Sequence, residues 1–255
     1  QIAPDGSWAD SGPIALFRCD LTTGLTSLMR KGSFYTSWLI DSQGRVTAEE
    51  DYDRQTERWT IGVAALGGDP AEALSGHAPV DIPEIGFGPT ADTVLVESIE
   101  NGDRVWRLLS IDSKKVSDMP AAEVFDTPLR DRFTGLMIGG VDVVDLPQYT
   151  FFDPARNARW RAIVQAFAGN AVRLVSASSD FSKVVVLVQG PTYGYRYILI
   201  DLSKPAAYPI GNVYAGIDKP LAVRPITYTA GDGLSIHAYL TLPPDRPAHG
   251  FALIV

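Results

Sequence analysis

The chain has 255 residues, 45% hydrophobic and 20% charged, enough to bury a substantial core. No stretch approaches the ~18 consecutive apolar residues of a membrane-crossing helix, and a net charge of -8 with scattered Lys and Arg speaks against a nucleic acid or a membrane partner. The single cysteine, Cys19, excludes an internal disulfide. Gln1 opens within structure, so any leader peptide is expected upstream.

In chain order, short aromatic-rich strands are expected at residues 16–21, 58–63, 104–109 and 195–202. Their markers Phe17, Trp59, Trp106 and Tyr197 are spaced by 42, 47 and 91 residues, the last being two periods. A fifth copy is therefore due near position 151, where Tyr149, Phe151 and Phe152 stand. Turns fall between the markers at residues 41–44, 89–92 and 179–182, each carrying an Asp with Ser, Gly, Pro or Thr beside it, residues that tolerate turn geometry. A repeat of about 40 to 50 residues carrying four short strands is the signature of a β-propeller blade. The alternative is a β-sandwich, which gives turn signals but no reason for a constant register. No Trp-Asp dipeptide occurs, which speaks against a WD40 propeller.

One helix interrupts the strands at about residues 153–168. Asp153 suits the N-cap, Pro154 the first helical position, and Gly169 the end. Trp160, Ile163, Val164 and Phe167 share one face, which is expected to dock on the propeller surface or on a further domain. Beyond it, residues 225–243 read as a hairpin around Gly231, Asp232 and Gly233. Phe251, Ala252, Leu253, Ile254 and Val255 then form an apolar run of the kind buried on both faces of a parallel sheet. Such a strand needs neighbours, so the chain is expected to be cut from a larger protein.

Several residues invite a chemical reading. Glu49, Glu50 and Asp51, followed by Asp53, form the densest acidic run, expected in a solvated connector after a strand. His77, His237 and His249 lie in a turn, a hairpin strand and a polar connector, and Asp180 and Asp232 lie in turns where aspartate bonds its own backbone. No spacing of Cys, His, Asp and Glu suits zinc, no loop matches an EF-hand, and Gly67-Gly68 and Gly139-Gly140 lack the strand-to-helix setting of a phosphate loop. No G-x-S-x-G nucleophile elbow occurs. No catalytic, metal or cofactor residue is assigned, and the substrate-binding residues stay open.

The order of propeller strands, then Phe152, Asp153 and Pro154 opening a helix, then residues 172–180, then Tyr195 to Asp201, then Pro225, Ile226, Thr227 and Tyr228 with Gly231 to Pro243, resembles the prolyl oligopeptidase family. Within it the acylaminoacyl-peptidase and dipeptidyl-peptidase-like bacterial members are the nearest in pattern. The resemblance implies an all-β partial propeller of about four to five four-stranded blades over residues 1–218. A linker and the first strands of an α/β-hydrolase domain would follow over residues 219–255. It implies that an oxyanion-hole segment follows residues 251–255, and that a Ser/His/Asp triad lies outside this chain. The partners so implied are an α/β-hydrolase domain of the same protein and a short peptide substrate. In dipeptidyl peptidases a propeller glutamate pair holds the substrate's amino terminus; the run at Glu49 to Asp51 matches that context poorly. Two other readings stay open: the propeller of an esterase-like or inactive homologue, and a free-standing propeller that binds a protein.

Overall fold

The computed structural model describes residues 12–65, 68–143, 146–190, 193–216, 221 and 223–242. The polypeptide divides into two compact units, one of residues 1–142 with 149–152, the other of residues 143–148 with 153–255. Apart from one α-helix and a short 3-10 turn, the regular structure described is β.

The strands form successive antiparallel sheets in which chain neighbours are also sheet neighbours. In the first unit β1 (Ile14–Cys19) pairs with β2 (Thr26–Gly32). A four-stranded sheet follows, made of β3 (Ser37–Ile40), β4 (Val46–Asp53), β5 (Arg58–Val63) and β6 (Ala71–His77). The next is made of β7 (Glu84–Phe87), β8 (Thr93–Glu100), β9 (Asp103–Ser110) and β10 (Val116–Asp118). Then come β11 (Thr127–Arg130), β12 (Met137–Val143) and β13 (Pro147–Phe151) in a three-stranded sheet. In the second unit β14 (Ala171–Ala177), β15 (Lys183–Gly190), β16 (Gly194–Asp201) and β17 (Ala206–Asn212) form another four-stranded sheet. The hairpin of β18 (Val223–Thr229) and β19 (Ser235–Thr241) ends the described chain. Serial four-stranded meanders of this kind are consistent with a partial β-propeller.

The sequence period has a structural cause. Trp59, Trp106 and Tyr197 each lie on the third strand of a four-stranded sheet, on β5, β9 and β16, and Phe151 lies on the third strand of its three-stranded sheet. Phe17 lies on β1, so β1 and β2 hold the places of a third and fourth strand. The turns expected at 41–44, 89–92 and 179–182 all join the first strand of a sheet to the second. Asp41 Oδ1 accepts the N–H groups of Gln43 and Arg45, both at 2.9 Å. Asp180 Oδ1 accepts Ser182 N–H at 3.0 Å and the Ser178 hydroxyl at 2.6 Å. A fourth such turn escaped the sequence reading: between β11 and β12, Asp131 Oδ1 accepts Phe133 N–H and Thr134 N–H, both at 2.9 Å.

Middle strands are buried on both faces. Val94 and Val96 of β8 pack with Ala48, Ile61, Val63 and Leu109 on one side. Leu95 points the other way, into Trp106, Met119, Phe125 and Met137. That double burial explains the continuous apolar run of β8, whereas in β15 Val184, Val186 and Val188 are fully buried and the alternate Val185 and Leu187 only half-buried. Gaining a buried side chain stabilises by roughly 1.5–3 kcal/mol, so the stacking of one sheet on the next holds this unit together.

The helix α1 (Pro154–Ala166) begins where its capping residues place it. Asp153 Oδ1 accepts Arg156 N–H at 2.6 Å, and Pro154 occupies a first-turn position where no N–H is needed. Trp160, Ile163 and Phe167 are buried, whereas Val164 is 39% exposed and lies at the edge of the stripe rather than within it. The helix docks across one end of the β14–β17 sheet. Arg156 donates to Ser179 O at 3.4 Å, Arg159 donates to Asp180 O at 3.3 Å, and the Arg156 guanidinium stands over the Phe181 ring. Asp153→Ala is expected to cost about 1 kcal/mol, read as a lower urea midpoint at unchanged slope, with most of the loss restored by Asp153→Ser.

Candidate functional site

The acidic run of the sequence lies inside a strand, not in a solvated connector. Glu49, Glu50 and Asp51 all belong to β4 and are half-buried; only Asp53, at the strand's end, is exposed. Alternation along β4 puts Glu50 on the face of Val46, Ala48 and Tyr52, so a carboxyl group sits where an apolar side chain would be expected. That alternation was the signal available in the sequence, obscured by three consecutive acids.

Each carboxylate has its own partners. Glu49 Oε2 accepts the Trp38 indole N–H at 2.7 Å across the β3–β4 pair. Asp51 Oδ1 accepts the hydroxyls of Ser33 and Thr36, both at 2.6 Å. Asp53 Oδ1 accepts Gln55 N–H at 2.8 Å and shapes the turn into β5. The backbone N–H of Ile85 on β7 favours the ionised form of Glu50 but is outweighed by burial. Burial pushes its carboxyl up to about 7, and the charges of Glu84 and Asp51 act in the same direction.

The polar line continues into the next two sheets. Glu84 on β7 stands directly opposite Glu97 on β8. Burial raises the Glu97 carboxyl, and Arg130 on β11, 3.3 Å away, opposes the shift. Arg130 also donates to Phe87 O at 2.8 Å, and its guanidinium lies in the space that a side chain on Gly86 would take. Glu84 and Glu97, with Asp81, Ile82, Ser98 and Arg104, line a cavity of about 240 Å³. A second cavity, of about 430 Å³, opens at the turns between first and second strands, where Asp41, Arg45, Phe87, Asp92, Asp112 and Leu136 meet. Carboxylates so placed can hold a cationic group; the hydroxyl of the smaller cavity, Ser98, donates to Glu100 Oε1 at 3.2 Å.

His77 and His237 line neither cavity. The His77 ring nitrogen Nδ1 is 3.2 Å from Thr56 O, and His237 Nδ1 is 3.1 Å from the Thr227 hydroxyl, its cross-strand neighbour on the exposed β18–β19 hairpin. His249 and residues 251–255 lie outside the described residues. Asp180 is a turn residue: hydrogen bonds from Ser178 and Ser182 hold its carboxyl at about 2. Asp232 plays the same part in the last hairpin, accepting Leu234 N–H at 3.0 Å. Among the described residues no group of three His, Cys, Asp or Glu side chains is placed to hold a metal ion, and no helix is long and apolar enough to cross a membrane.

No family model and no curated protein matches the chain. Among solved structures it is similar to TolB from Acinetobacter baumannii, at 13% identity and a TM-score of 0.42, covering 89% of this chain and 57% of that one. It is similar to a Mycobacterium tuberculosis puromycin-hydrolyzing peptidase at 12% identity and a TM-score of 0.45, covering 99% and 44%. The isopeptidase AtxE2, in an S527A variant with astexin3-dC4 bound, is 13% identical with a TM-score of 0.25, covering 91% and 30%. The chain therefore spans between about a third and somewhat over half of the length of these structures.

Proposed function

We propose that this chain is the non-catalytic propeller part of a serine peptidase, or a related hydrolase, that cleaves short peptides. Its repeated sheets restrict what reaches a catalytic α/β-hydrolase domain of the same protein, beginning at about residue 219. The observation that carries this reading is the β18–β19 hairpin, which follows the last of the repeated sheets in the order by which the sequence resembles the prolyl oligopeptidase family. Tyr228, Leu234 and Tyr239 stand at least half exposed on that hairpin, as the first edge of a domain would before further strands cover it. With no G-x-S-x-G in these 255 residues, the acyl-transfer serine and its oxyanion donors belong to the remainder of the protein.

The test compares the full-length protein with residues 1–255. The full-length protein should hydrolyse aminoacyl or acyl-aminoacyl chromogenic substrates and be labelled and blocked by a fluorophosphonate, whereas residues 1–255 should do neither. A full-length protein that resists the fluorophosphonate, or one no more active than residues 1–255, overturns the proposal.

A further inference from the structure

In turn after turn an aspartate accepts the N–H groups that follow it: Asp41, Asp131 and Asp180 between first and second strands, Asp20 and Asp201 between third and fourth. The β7–β10 sheet departs from that pattern at both corresponding turns. Between β7 and β8 the Thr93 hydroxyl accepts Thr90 N–H at 3.3 Å and donates to Thr90 O at 2.9 Å. Between β9 and β10 the Ser110 hydroxyl accepts Ser113 N–H at 3.3 Å, and that of Ser113 accepts Lys115 N–H at 3.4 Å. Threonine and serine close these turns, so Asp92 and Asp112, which stand in them, are left over. Among the described residues neither carboxylate is hydrogen-bonded or ion-paired.

Both line the cavity of about 430 Å³ where the turns of the β3–β6 and β7–β10 sheets meet. Ile111 N–H donates to Asp92 O at 2.8 Å, which sets the two turns side by side. The buried part of the lining is apolar: Ala64 is 2% and Ile111 7% exposed, and Phe87 and Leu136 adjoin them. Gly135, at φ +75, lets the β11–β12 turn come down on Phe87, since a Cβ there would stand 2.9 Å from the ring. The third carboxylate of the lining, Asp41, is neutralised by its cation, Arg45, at 2.7 Å. Other cations of these turns lie outside the lining. Lys114 Nζ donates to Glu72 O at 3.3 Å, Arg132 stands over the Phe133 ring, and Lys115 leads into β10.

We propose that this cavity binds a small organic cation with an apolar body, an arylalkyl ammonium, its ring against Phe87, Ile111 and Leu136 and its charge at Asp92 and Asp112. The volume falls within the range of small-molecule sites, and an apolar interior with a few charged groups at the mouth is their usual lining. Two carboxylates without a protein cation favour a positive ligand over a neutral or negative one of the same shape. The site goes beyond the acyl-transfer role proposed above and does not depend on it.

Titration of the full chain with benzylammonium, followed by amide chemical shifts, tests the site. Saturable shifts are expected at the N–H groups of Ala64, Ile111, Asp112 and Thr134, which line it. Benzyl alcohol and phenylacetate, of similar shape but neutral and anionic, should bind about tenfold more weakly or less, and Asp92→Asn with Asp112→Asn should weaken benzylammonium about tenfold together and about threefold singly, the scale of partly exposed ion pairs. Ala91→Trp, which fills the mouth from an exposed position, should abolish the shifts. Shifts that do not saturate overturn the proposal, as does benzyl alcohol binding as tightly as benzylammonium. Binding that survives the double aspartate variant or Ala91→Trp overturns it too. Should a variant fail to fold, the comparison of the three ligands on wild type decides. No readout here depends on peptidase activity, so failure of this site and failure of the proposed function are separate results.

Discussion

Trp106→Ala should lower stability by about 3–5 kcal/mol, the range for emptying a large aromatic site in a packed core. Trp106 is 1% exposed on β9 and packs with Leu95, Met119, Phe125 and Met137, which come from three further segments of the chain. Its ring lies 6.2 Å from that of Phe125, centroid to centroid. Those neighbours are held by backbone pairing, Met119 N–H donating to Trp106 O at 3.0 Å, so they cannot collapse into the void and the cavity penalty is kept. For a chain of this size the loss corresponds to roughly 6–20 °C in Tm. Trp106→Phe should cost much less than the volume change alone suggests. The indole Nε1 is buried without a hydrogen-bond partner, and removing an unpaired buried donor offsets part of the lost packing. Chemical denaturation of the three proteins checks both statements. A Trp106→Ala variant within 1 kcal/mol of wild type would show that β9 is not sandwiched between neighbouring sheets.

The period was legible because each sheet repeats the same demand at the same place. Trp59, Trp106 and Tyr197 each recur on the third strand of a sheet, covered by a strand on either side. The helix was legible from its cap: a lone Asp153 before Pro154 leaves few other structures open. What stayed hidden depends on partners distant in sequence. Glu50 reads as a surface acid because nothing near it in sequence says that β7 will cover it. Glu97 and Arg130, 33 positions apart, meet only because β8 and β11 belong to sheets that pack on each other. Val164 satisfies the helical spacing yet is exposed, while Trp160, Ile163 and Phe167 on the same stripe are buried. The Gly139-Gly140 pair lacks the strand-to-helix setting of a phosphate loop, and its role, close approach of strands, is invisible without the partner strand.

That role gives the second large effect. Gly139 lies on β12 with φ +155, and a Cβ there would collide with the carbonyl oxygen of Thr150 on β13. The obstacle is backbone, held in register by Phe152 N–H donating to Ile138 O at 2.9 Å, so no side-chain rotation relieves it. Register also shifts in the β11–β12 pair between Leu129 and Arg130, so β12 is irregular on its other side too. Gly139→Ala must therefore strain the backbone and part the sheet, at a cost of about 3 kcal/mol or more. Gly140→Ala meets the Cβ and ring root of buried Phe125, which rotation cannot clear, and should cost about 2–3 kcal/mol. Gly231→Ala, in the β18–β19 turn with open space around it and no positive φ, should stay within about 0.5 kcal/mol of wild type. Thermal and urea melts of the three variants rank these costs. If Gly139→Ala proves as mild as Gly231→Ala, β13 does not lie against β12 as described, and the three-stranded sheet loses its place in the series of meanders.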